Sequence, residues 1–314
     1  MNKTRTLPRR TFERSEESAS GGKAQVLFAG AVEILKSGWF IALLLSLSVG
    51  LLFYEVFRAL VYDWYRDPDY SHGFLVPLLA GYFVWERRET LRRLPIAPSY
   101  WGVALLGMGL LMLVLGSVGA EYFTQRVAFI VVAAGIVLLV LGREYLWALA
   151  FPIAFLVFMV PLPAIIMNSI AFPLQMFAAK TATACLYSLG IPVLREGNVI
   201  VLSQTTLEVA EACSGIRSLQ ALMALGAVYA YFTQRSTWKQ WLLLGLTIPI
   251  AIAANAFRVS GTGVLAHYWG IEAAQGFYHT LSGLVIFGVA FALLLVAGAV
   301  VSRLPEKPEM EKTS

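Results

Sequence analysis

The chain reads as an all-α polytopic membrane protein of about eight transmembrane helices, with a short extracytoplasmic amphipathic helix and a β-hairpin. Three observations predict this. Of its 314 residues 58% are hydrophobic and 14% charged, against roughly 25% charged in a soluble domain. Apolar runs of bilayer-crossing length, about 17–25 residues each, recur along almost the whole chain. The net charge of +5 is gathered in short loops and tails, which marks topology rather than nucleic-acid affinity. Two cysteines in this length make no disulfide framework.

Residues 1–37 carry Arg5, Arg9, Arg10, Arg14 and a Ser/Glu/Gly run, and are expected to be a disordered cytoplasmic tail. The membrane domain is expected over 38–301, with a second cytoplasmic tail at 302–314. Its spans fall near 38–57, 72–86, 100–118, 125–142, 144–161, 213–232, 239–257 and 276–301. Gly102, Gly107, Gly109 and Gly116 read as helix packing in lipid. The segment 164–189, with Asn168, Ser169, Pro173, Gln175 and Lys180, reads as an amphipathic or re-entrant helix and not a span. Residues 190–211 show Gly197-Asn198 between β-branched runs, the pattern of a short hairpin.

Alternating eight spans from a cytoplasmic N-terminus puts most of the 24 basic residues on the cytoplasmic side, Arg87, Arg88, Arg92 and Arg93 foremost. Both termini are then cytoplasmic. Were 164–189 to span, Arg235 and Lys239 would face outward. Residues 58–71, with Tyr62, Asp63, Trp64, Tyr65 and Tyr70, read as an interfacial aromatic belt on the outer face.

This topology gathers chemistry at the outer face. Cys213 stands where a polar segment meets the sixth span, and a thiol at a helix N-terminus is biased toward thiolate. Glu208, Glu211 and Arg217 crowd the same stretch. Arg258, just after Asn255, stands at the expected outer end of the seventh span, and His279 at the outer start of the eighth. A thiol, a guanidinium and an imidazole suit nucleophilic acyl transfer: thiolate, acid/base and oxyanion support. His72, His267 and His279 all fall on the outer face, so position alone does not select the base. His279 opens a Gly-studded rigid helix, His267 sits in an expected loop with Tyr268 and Trp269, and His72 opens the second span. Cys185 reads as an apolar filler. Three histidines without HExxH or CxxC spacing give no metal site, and no nucleotide or phosphate loop is seen, so no cofactor is expected.

The runs EACSGIRSLQALMALG, ANAFRVSGTG and FYHTLSGLVIF resemble the three signature blocks of the exosortase/archaeosortase family, and YSHGFLVPLL its N-terminal block. The likeness covers roughly 40–300 and is nearest the bacterial, exopolysaccharide-associated exosortase A type. It implies a multispanning cysteine protease or transpeptidase of the bacterial inner membrane. Its implied partner is a membrane-inserted C-terminal sorting signal, made of a Pro-Glu-Pro motif, a transmembrane helix and a basic tail. The family's Cys, Arg and His map onto Cys213, Arg258 and His279, with Glu208, Glu211, Arg217, Asn255 and His72 as supporting or substrate-contacting candidates. Two rivals stand beside this: a non-enzymatic component of polysaccharide assembly or export, and a secondary transporter. A transporter places charges at mid-span, whereas the polar residues here gather at one interface.

The expected topology is testable in a Cys185→Ala background. A membrane-impermeant maleimide should label Cys213 from the non-cytoplasmic side of oriented vesicles; labelling from the cytoplasmic side alone overturns the topology.

Overall fold

A computed structural model describes residues 38–203, 205–209, 216–270 and 277–305, and the chain divides into two units, Met1–Ala59 and Leu60–Ser314. The first holds the apolar helix α1 (Gly38–Leu52) and the start of α2 (Tyr54–Arg66). The second continues with a 3-10 turn (Pro68–Phe74), α3 (Leu75–Glu86), α4 (Arg88–Arg93), α5 (Trp101–Val118) and α6 (Tyr122–Val140). Two short helices, α7 (Arg143–Ala148) and α8 (Ala150–Phe155), run through a 3-10 turn (Leu156–Met159) into the long α9 (Ala164–Ser188). Three strands, β1 (Val193–Glu196), β2 (Val199–Leu202) and β3 (Thr206–Glu208), precede α10 (Ile216–Thr233), α11 (Thr237–Trp269) and α12 (Phe277–Ser302).

The protein is therefore the helical membrane protein its composition predicts. By length and composition four described helices can cross a bilayer (α5, α6, α11 and most of α12), or six if the bent pairs α1–α2 and 150–159 with α9 each count as one span. The expected runs at 72–86 and 144–161 are shorter or broken helices. Pro161 and Pro163 interrupt the chain ahead of α9, removing amide donors and forcing their neighbours extended. The pair then meets at 80°.

The α5–α6 hairpin shows how small residues set register without a hydrophobic drive between helices. Gly102 lies on the Leu139 backbone, a Cβ on Gly109 would come 2.7 Å from Val132 Cγ2, and one on Gly116 would come 2.9 Å from Gln125 Cγ. These glycines recur every seven residues along one face. Gly107, expected in the same stripe, lies off that face with open space about it. Glu121 caps α6, accepting from the Phe123 and Thr124 N–H groups at 3.1 and 2.6 Å. Burial opposes its ionised form, but those hydrogen bonds and the Arg126 charge outweigh burial and hold the carboxyl below its ordinary range. Arg126, 6% exposed, pairs with Asp63 at 2.5 Å. Of the residues expected in an interfacial belt, Tyr62 and Tyr65 stand exposed on α2, whereas Trp64 is buried and the half-buried Asp63 turns to Arg126. Trp64 is buried, donates to the Met159 carbonyl at 2.9 Å and covers Gly73.

Helix α9 presents Ala171, Gln175, Ala178, Ala179, Ala182 and Leu186 as one buried stripe. It ends in a Schellman motif: Gly190 at φ +76 donates to Tyr187 O, and Ile191 to Leu186 O, each at 3.0 Å. The expected hairpin turns at Gly197-Asn198, with Gly197 at φ +68 and Glu196 opposite Val199. A third antiparallel strand extends it, giving order β1-β2-β3. Ile200 and Leu202 bury against the α9 stripe together with Val259 and Ala266 of α11.

Helices α10, α11 and α12 form the second core, around Leu222, Ala230, Leu243, Ala251, Ala290 and Leu294. Gly226 admits Thr247, setting α10 antiparallel to α11, and Gly298 admits the Tyr229 ring, setting α10 parallel to α12. At the α12 C-terminus the buried Lys239 donates to Ser302 O at 3.3 Å and Gln234 to Gly298 O at 3.2 Å. A cation on the last carbonyls of a helix is favourable in both charge and hydrogen bonding.

Replacing Gly109 by leucine drives a side chain into Val132 and should destabilise the α5–α6 hairpin by about 1–3 kcal/mol, read as a lowered thermal midpoint in detergent. Gly107→Leu should leave the midpoint near that of the unaltered protein.

Candidate active site

The three helices of the second core are those to which the sequence reading assigns the candidate thiol, guanidinium and imidazole. Arg258 does not stand at a helix end as expected. Helix α11 continues from it to Trp269, because Val259, Gly263 and Ala266 pack on the α9–sheet core: a Cβ on Gly263 would lie 2.7 Å from Leu186 Cδ1. Ser260 and Thr262 return their hydroxyls to the Ala256 and Arg258 carbonyls at 2.8 and 3.0 Å, so neither leaves a polar group stranded. Gly270, at φ +83, ends the helix. His267, expected in a loop, is in the last turn of α11 with its ring edge-on to Tyr268 at 4.9 Å.

Within α11 the half-buried Arg258 lays its guanidinium on α12 at Gly283. A Cβ at that glycine would lie 3.4 Å from Nη2 and 3.6 Å from Cζ. Gly283 is one helical turn past residue 279, on the same face of α12. Asn255, 5% exposed, precedes Arg258 by one turn on α11. Both line a narrow cleft of about 20 Å³, floored by Leu222 of α10, Ala251 of α11 and Phe287 of α12. That volume holds about one water. Continued along both helices, the antiparallel register that pairs Gly226 with Thr247 brings Arg258 level with the start of α10.

Among the other predicted residues, Cys213 and Glu211 lie outside the described residues, as do the side chains of Arg217 and His279; residue 217 falls in the first turn of α10 and residue 279 in the first turn of α12. Glu208 is exposed on β3, and His72 is half-buried in the 3-10 turn ahead of α3, beside the Gly73–Trp64 contact. Neither borders the cleft. Cys185 is half-buried in α9, in keeping with a filler role. The sequence reading missed Gly283 as the seat of the Arg258 guanidinium. A glycine one turn beyond a candidate histidine was the available signal.

A family model described as transmembrane exosortase matches residues 64–296. The chain belongs to the transmembrane exosortase family. The match takes in α10, α11 and most of α12, and this family of membrane cysteine transpeptidases acts on substrate proteins bearing C-terminal sorting signals within the membrane. No curated protein and no solved structure matches the chain significantly. Family and helices together make this exosortase a multi-pass membrane protein with a transpeptidase or sorting role.

The Gly283 contact sets up a graded test. Gly283→Ala places a methyl at ordinary contact distance and should leave substrate processing near its normal rate. Gly283→Leu should push the guanidinium off α12 and lower kcat by about a hundredfold, the scale of losing an oxyanion donor. Equal rates for the two variants would remove Arg258 from the chemistry.

Proposed function

We propose that this exosortase is a cysteine protease or transpeptidase that cuts Pro-Glu-Pro-type C-terminal sorting signals of exported proteins at the outer face of the bacterial inner membrane, in the service of exopolysaccharide or biofilm production. The observation that carries the reading is the seating of the Arg258 guanidinium on Gly283. It supports a convergence of three helix segments. Cys213 is three residues ahead of α10, so its Cα is within about 11 Å of that of Ile216 by chain length alone. His279 is one turn before Gly283 on the face that Arg258 meets.

In this mechanism the Cys213 thiolate attacks the scissile carbonyl, and Arg258 supports the thiolate or the oxyanion of the tetrahedral intermediate. The C–N bond breaks as His279 passes a proton to the leaving amine. The acyl group remains on sulfur as a thioester, which water, an amine or a hydroxyl resolves. Asn255, buried one turn below, helps hold Arg258; Glu208, Glu211, Arg217 and His72 are secondary candidates for substrate contact. With both termini in the cytoplasm, the substrate's own helix lies in the bilayer, its basic tail stays inside, and its cleavage motif emerges at the level of Arg258.

Co-expression with a sorting-signal substrate tests this. Cys213→Ala should lower processing by about a thousandfold or more while the protein stays monodisperse. Intact mass of the unaltered protein, mixed with a substrate peptide, should gain the acyl fragment. Full processing by Cys213→Ala would favour the non-enzymatic assembly component instead.

A further inference from the structure

We infer that the open edge of β3 is a docking strand, which binds the extended backbone of the substrate polypeptide by main-chain hydrogen bonds as it approaches Cys213. The inference rests on the proposed function and deepens it. The ladder determines which groups the edge offers. Leu202 N–H donates to Thr205 O at 2.8 Å and Val209 N–H to Asn198 O at 3.0 Å. With Thr206 opposite Val201, Leu207 opposite Ile200 and Glu208 opposite Val199, residues 205 and 207 face β2, since antiparallel pairs alternate between bonded and non-bonded. The N–H and C=O groups of Thr206 and Glu208 therefore point away from β2. The order β1-β2-β3 leaves that side of β3 without a strand among the described residues.

Two outward donor–acceptor pairs, two residues apart, match the repeat of an extended peptide about 6.8 Å along the strand. Three further observations make the substrate the occupant. β3 ends five residues ahead of Cys213. Its sheet rests on α11 at Val259, the residue after Arg258, so the edge is held beside the same level of the bundle. Val209, at the end of this strand, is 2% exposed and pinned to Asn198 on both sides, its N–H donating to Asn198 O and its carbonyl accepting from Nδ2 at 3.3 Å. A strand so anchored presents a fixed template, at low entropic cost, to an incoming chain. The β1 edge is the matched control. It lies on the far side of the sheet, and its Arg195 folds back to donate to Gly197 O at 3.0 Å.

The test uses the full-length protein in lipid nanodiscs, with a substrate bearing its sorting signal. In a Cys213→Ala background, p-benzoylphenylalanine is placed at Thr206, Glu208 or Arg195, all exposed positions. Photolysis should join substrate to positions 206 and 208 and not to 195. Equal adducts from 195, adducts only with a second copy of this chain, or none at all would overturn the docking edge. In the Cys213 protein, Thr206→Pro and Glu208→Pro each remove an outward N–H while sparing the β2 ladder. Each should raise KM about 3- to 10-fold, the worth of one hydrogen bond, with kcat nearly unchanged; Arg195→Pro should move neither. Unchanged KM in both β3 variants also overturns it. Should Cys213→Ala retain processing, the catalytic reading fails by a separate measurement, and the cross-links still report where the polypeptide lies.

Discussion

The seating of Arg258 on α12 depends on how closely α11 can approach its neighbours α10 and α12. Apolar side chains gain little by leaving lipid for one another, so contact distance must come from missing side chains. Gly226 of α10 takes in Thr247 of α11, and Gly283 of α12 takes the Arg258 guanidinium about three turns further along the same face of α11. A methylene at the first position meets the core of the bundle. At the second a methyl still fits against the Arg258 guanidinium at 3.4 Å, and a longer side chain does not. The same residue type thus admits an apolar side chain at one level and seats a cation about three turns further along α11.

Length is the second constraint. At 1.5 Å per residue, the 33 residues of α11 run to about 50 Å, well beyond a hydrocarbon core of about 30 Å. The excess is used as a wall. Beyond Arg258 it carries Val259, Gly263 and Ala266, against which the alanine stripe of α9 and the inner face of the sheet close. Arg258 is therefore held in the middle of a helix whose continuation is packed, rather than at a frayed end. Its backbone carbonyl is also tied to Thr262. A backbone held in that way suits the preorganised charge stabilisation proposed for Arg258.

The sequence made legible whatever is written locally. The turn at Gly197-Asn198 and the start of α12 two residues before His279 both follow from turn chemistry and periodicity. What it hid was set by partners far along the chain. The Asp63–Arg126 pair joins residues that each look like interfacial polar groups, and only tertiary contact turns Arg126 from a snorkelling candidate into a buried ion. The continuation of α11 past Arg258 was hidden likewise: Asn255, Arg258, Ser260 and Thr262 lower the hydropathy enough to suggest an end. Their polar groups are instead returned to the helix or the cleft. The third strand had the same cause, since Thr206-Leu207-Glu208 is too short to declare itself without β2 beside it.

The opposite end of the bundle explains how such short-range contacts can hold a site. There Arg87 donates to Tyr231 at 2.8 Å and to the Ala148 carbonyl, Tyr231 donates to Glu86 at 2.9 Å, and its ring stacks on Phe151 at 4.4 Å. Lys239 and Gln234 close the last turn of α12. These bonds fix the rotation of α10 and α12 about their own axes, which glycine contacts alone leave loose. Rotation set at one end of a rigid helix is inherited at the other, since each residue follows its neighbour by a constant angle. The face of α12 on which residue 279 falls is therefore decided in part by side chains at the far end of that helix. Arg87 and Tyr231 thus help to hold α10 in the bundle that seats Arg258, although neither borders its cleft.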